Sequence, residues 1–173
     1  MDKQLFYYAV LEIGASLFLG VILLYITYKV LNQFIQKKYD IDINNVAYSI
    51  FCSAVLFSVG YLISGIKSPI VTTMRLLESQ EGYEGILLLD VLKYGALFFL
   101  IVILGIIIIN FLSISIFTLM TTKLDEFAEI KKNNIAVGIL LATIIICVSF
   151  LIKESLYLMI DSFVPYPKMP AGF

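Results

Sequence analysis

An all-α integral membrane fold, with four helices in two parallel two-helix hairpin repeats, is predicted by three features of this sequence. The first is composition. Of 173 residues, 61% are hydrophobic and 14% charged, and the mean hydropathy is +0.99, which leaves too little charge to cover a soluble surface. The second is a set of four apolar runs, each near the ~20 residues that a helix needs to cross a hydrocarbon core. The third is a polar pattern that occurs twice between runs, as DIDINNVAYS from Asp40 and EIKKNNIAVG from Glu129.

The first run is Leu5 to Tyr28. It is too long for a typical cleaved signal segment and no A-x-A-like site follows it, so it is expected to be retained. Tyr7 and Tyr8 at one end and Tyr25 and Tyr28 at the other suit the two membrane interfaces. The second run is Val46 to Ile66. A connection of residues 67–85 follows, in which Ile70, Met74 and Leu77 fall at helical spacing, predicting a short interfacial helix after Pro69. The third run is Tyr94 to Met120 and the fourth Ile135 to Ile152. The tail from Val164 carries Pro165, Pro167 and Pro170 and is expected to be extended and poorly packed. Residues 1–66 and 86–160 are thus the two hairpin repeats, 67–85 the loop between them and 161–173 the tail.

Aligning Asn45 with Asn134 pairs Asp40 with Glu129, Ile41 with Ile130, Val46 with Ile135 and Ala47 with Ala136. A tandem duplication of a hairpin explains the match. Two helices per unit give both copies the same orientation, with a pseudo-twofold axis along the membrane normal. The motif has a local task as well: Asn is among the best N-cap residues, and uncapped amides are costly in lipid. Asp40, Asn44 and Asn45, with Glu129, Asn133 and Asn134, are therefore expected at the starts of the second and fourth helices, the acids near the positive dipole ends. A sharper reading has the two helix starts together binding an anion, a lipid headgroup or a partner protein.

The composition also excludes. The chain has no His, which removes the commonest proton shuttle and metal ligand. It has no Walker loop, GxGxxG, HExxH or GxSxG. No enzyme activity, metal or cofactor is expected. A net charge of -1 gives no reason to expect nucleic acid. Cys52 and Cys147 lie at depths that differ by roughly 9 Å, too far apart for a disulfide, and both are expected to pack as small apolar residues.

Ionisable residues in or beside spans are the default functional candidates. Glu12 shares a helix face with Ser16 and Gly20, a small-residue face expected to meet another helix or a water-filled path. Lys67, Asp90, Lys93, Lys153 and Glu154 fall at the same outer level, as a ring of interfacial ion pairs or the vestibule of a polar path. Asn110 is deep in the third run, where an inter-helix hydrogen bond is expected.

The duplicated hairpin, with Asn45 and Ala47, then Asn134 and Ala136, preceded by Asp40-Ile41 and Glu129-Ile130, resembles the YjfL-like bacterial inner-membrane proteins, also called domain of unknown function 350. Lys123 to Leu156 is most similar to that family. Asn44 and Asn133 stand where the family usually has Gly. The resemblance implies four helices in two repeats in the bacterial cytoplasmic membrane, and it brings no substrate or catalytic residue; some members look like components of envelope-stress gene sets. Lys29, Lys37, Lys38, Lys123, Lys131 and Lys132 flank or occupy the hairpin loops, which favours cytoplasmic loops with both termini outside. The function expected is a structural or signalling membrane subunit that forms homo-oligomers in the lipid bilayer and recruits a soluble cytoplasmic partner. The alternative is an oligomeric ion or small-solute channel or transporter.

Overall fold

The computed structural model describes residues 3–42, 44–78, 87–120 and 125–166. They form α1 (Lys3–Val30), a π-helical segment (Leu31–Gln36), α2 (Lys37–Tyr39), α3 (Val46–Ile63), α4 (Lys67–Glu78), α5 (Leu87–Met120), α6 (Glu126–Lys131) and α7 (Ile135–Asp161). No strand occurs among the described residues. Three segments of these are long and apolar enough to cross a membrane: Val46–Leu77, Lys93–Met120 and Ile135–Asp161. Only 33% of the most apolar window of Lys93–Met120 is buried within the chain. The rest is an apolar surface that suits lipid rather than water.

The helices bury one face each. Near the hairpin loops, Leu31, Ile41, Phe51, Phe117, Ile130 and Leu141 form one cluster. Towards the other end, Leu23, Val59, Phe98, Val102, Ile109 and Ile160 form a second. The closest helix pair is α3 with α7. Both start at the loop side and run parallel, with Tyr61 and Phe150 at 4.5 Å. These two residues are 89 positions apart, the same spacing as Asn45 and Asn134. Near the helix starts, a Cβ on Gly138 would lie 2.9 Å from the Ala47 carbonyl oxygen and 3.0 Å from its Cα. Only glycine allows that approach.

The π segment has a clear consequence. It inserts the equivalent of one residue into a helix that runs on to Tyr39. At ~100° per residue, Tyr39 would otherwise be turned well away from Leu31; with the insertion it stays on the inner face. There it stacks on Phe127 with ring centroids 4.8 Å apart.

Several expectations are corrected here. The helix in the long connection starts at Lys67 rather than after Pro69, since proline is tolerated in a first turn; it buries Val71, Thr73 and Leu77. Val164 is not loosely packed: it is buried in the outer core, and the Tyr166 hydroxyl donates to Asp161 at 2.9 Å. The tail beyond it lies outside the described residues. Cys52 is buried as expected, but Cys147 is exposed on the outer face of α7.

Candidate functional site: the interlocked hairpin loops

Both loop crossings are built by local chemistry. In the first, Asp40 takes a left-handed φ of 51° and ends the helix, its N–H donating to the Lys37 carbonyl at 3.4 Å while the Ile41 N–H donates to Gln36 at 3.0 Å. In the second, Asn133 takes φ 61°, its N–H donating to Ile130 at 2.9 Å while the Asn134 N–H donates to Glu129 at 3.0 Å. These are the paired bonds of a Schellman helix end. Asn and Asp tolerate this backbone region better than other non-glycine residues. The left-handed residue thus falls on Asn133 in one loop and on Asp40, not Asn44, in the other. Asn44 is exposed, and its N–H donates to Asp42 Oδ1 at 2.8 Å.

Asn45 and Asn134 are the N-caps of α3 and α7. Asn45 Oδ1 accepts from the Tyr48 N–H at 2.8 Å, and Asn134 Oδ1 from the Val137 N–H at 3.4 Å. The acids of the motif are not equivalent, which corrects the alignment. Asp40 sits past the end of α2, whereas Glu129 lies inside α6. Neither stands at the start of α3 or α7; Glu129 lies in the first turn of α6. Glu129 accepts from Asn134 Nδ2 at 2.9 Å and from Lys132 Nζ at 2.7 Å. These two donors, Asn134 first, hold its carboxyl below the usual range.

The two loops also hold each other. Asn45 is buried, and its Nδ2 donates across to the Ile130 carbonyl at 2.6 Å and to Lys131 O at 3.3 Å. In return Asn133 Oδ1 accepts from the Ala47 N–H at 3.0 Å. One loop thus satisfies carbonyls at the end of α6, and the other satisfies an amide in the first turn of α3. Lys131 reaches Asp40 at 3.5 Å, both well exposed. The helix starts do come together, and in α3 the Ala47 and Tyr48 amides are taken by Asn oxygens.

Three participants lack any mark in the repeated motif. Asp125 caps α6 by accepting from Phe127 and Ala128, both at 3.1 Å. The buried Glu126 accepts from the Thr118 hydroxyl, tying α6 to the end of α5. Tyr39 stacks on Phe127. An Asp followed by an acid-rich first turn, as in DEFAE, is the available sequence signal for such a start.

The outer candidates do not form one ring among the described residues. Asp90 and Lys93 pair at 3.3 Å with the lysine largely exposed. Lys153 lies over the Tyr61 ring at 4.0 Å, a cation–π contact. Glu154 is exposed. The side chains of Glu12, Ser16 and Lys67 lie outside the described residues. Gly20, on the Glu12 face, has open space around it among the described residues. Among the described residues Asn110 makes no inter-helix bond; its Nδ2 donates to Ile106 O of its own helix at 2.8 Å. No group of three or more acids or thiols able to hold a metal ion occurs among the described residues.

No curated protein and no solved structure matches this chain. The family model described as Domain of Unknown Function (DUF350) matches residues 4–156, which takes in both loops and all the helices between them. With three helices suited to a bilayer, this is a membrane protein, and the chain belongs to the DUF350 family.

Proposed function

We propose that the chain is a four-span subunit of the bacterial cytoplasmic membrane, built from a duplicated hairpin, that recruits a soluble protein through its interlocked loops. The observation that carries this reading is the cross-bonding of Asn45 and Asn133. It turns two separate hairpin loops into one ordered polar platform. Asp42, Asn44 and Lys131 stand exposed on that platform. A surface ordered before binding loses less freedom when a partner docks. The positive loop charges support a cytoplasmic platform with both termini outside. The broad apolar faces of α5 and α7 give a homo-oligomer room to form. No observation favours the channel reading: Asn110 is turned to its own helix and Lys153 to Tyr61.

The test is affinity capture from membranes with Lys131→Glu and Asp42→Lys. Loss of a specific soluble protein, with unchanged stability of the variants, supports recruitment. Equal recovery of the same proteins by wild type and both variants sinks it.

A further inference from the structure

Beside the first helix lies an apolar groove that the loop platform does not use. It has a volume of about 390 Å³. Its walls run from Leu23 to Ile35 on α1 and the π segment and from Ile103 to Ile114 on α5, with Phe51 and Val55 of α3 as its floor. The lining is apolar except for Thr27 and Asn110, and Asn110 already donates within its own helix.

Three observations fix what fits. The groove opens between helices at bilayer depth, so its occupant comes from the membrane. Ile103 to Ile114 covers roughly 16 Å of helix at the usual rise, close to half of a ~30 Å hydrocarbon core. One leaflet is therefore matched, which suits a single acyl chain and is too short for a helix crossing the whole bilayer. Finally, the groove ends at a basic pair. Lys37 and Lys38 lie just beyond the lining, separated from Ile35 by Gln36, where the π segment runs on into α2. Both are exposed, and Lys38 lies 5.3 Å from the Tyr39 ring centroid. Among the described residues neither pairs with a carboxylate.

We propose that this groove binds one anionic phospholipid of the loop-side leaflet, an acyl chain between α1 and α5 and the phosphate at Lys37 and Lys38. Charge at the interface selects the headgroup, since a basic cluster just outside the hydrocarbon attracts anionic lipid. The branched aliphatic walls take the chain. The inference does not rest on partner recruitment.

The experiment uses the full chain in phosphatidylcholine nanodiscs containing phosphatidylglycerol with a photoreactive group on the acyl chain, and adducts are mapped by mass spectrometry. Adducts are expected along α1 and α5 at the groove. They should be lost in Ile107→Trp and in Val30→Trp, each of which fills the groove, and kept in Leu104→Trp, on the outer face of α5. Lys37→Gln with Lys38→Gln should abolish the preference over a phosphatidylcholine probe while the groove adducts persist. Adducts as frequent at Leu151 as in the groove, or unchanged in both filling variants, overturn the proposal. So does efficient copy-to-copy disulfide formation through Ile107→Cys in a Cys147→Ser background with no groove adduct, because a second copy would then occupy the site.

Discussion

Asn45→Ala separates the interlocked loops from ordinary capping. Two losses follow from the geometry. Removing the 2.8 Å acceptor for the Tyr48 amide costs about 1 kcal/mol, the usual value of an N-cap. Removing the 2.6 Å donor to Ile130 costs roughly another 1 kcal/mol, since that carbonyl keeps the Asn133 N–H as a partner and is not orphaned. The sum is about 2 kcal/mol. Asn134→Ala loses a longer cap bond of 3.4 Å and its 2.9 Å bond to Glu129, but at a site partly open to water that can replace both, and about half that penalty is expected. Asn45→Asp keeps the cap acceptor but loses the donor and turns an oxygen towards the Ile130 carbonyl, so it should remain at least ~1 kcal/mol below wild type. The buried thiol of Cys52 is a built-in reporter, and in a Cys147→Ser background it reacts only as the fold opens. Unfolding in mixed micelles with rising SDS, read by Cys52 labelling, gives the midpoints. If Asn45→Asp matches wild type, or Asn45→Ala is no worse than Asn134→Ala, the cross-loop bonds do not stabilise the fold as reasoned.

Gly138→Leu should separate α3 from α7, because even a Cβ there meets Ala47 backbone at 2.9 Å; a loss of roughly 1–3 kcal/mol or more is expected, seen as a lowered Cys52 midpoint, and an unchanged midpoint would show the contact to be slack. Asn110→Leu should leave the midpoint level or raise it, since among the described residues the amide joins no second helix; a clear loss would show that it does bond beyond its own helix. The Glu129 carboxyl titrates below its unfolded value of about 4.3. Its contribution to stability is therefore complete above that pH and is lost as pH falls through the lowered folded value. Glu129→Gln should flatten the acid limb of the midpoint-against-pH curve, and an unaltered limb would count against its hydrogen bonds.

How much of this was legible in the sequence depends on the range of the interaction. Composition and run length set the all-helical membrane class, because the cost of exposing apolar side chains and unpaired backbone groups is local and additive. The Asn-Asn pairs marked helix starts, because a cap acts within three residues. They carried no sign of which atoms would face across 85 residues to Ile130 or Lys131. Asp40 and Glu129 matched in the alignment and diverged in space, since the helix before each ends at a different residue. Asn110 was expected to reach another helix; its own backbone was nearer. Hydropathy ranks Cys52 and Cys147 alike, and only the packing of α3 against α7 decided that one is buried and the other exposed. The groove between α1 and α5 has no sequence signature either, because a space between helices depends on how far apart their axes lie. The chain alone thus determined its solvent and its helix starts. The tertiary structure decided which polar groups satisfy one another, because a hydrogen bond is set by ångström-scale distance and angle between residues that the sequence holds far apart.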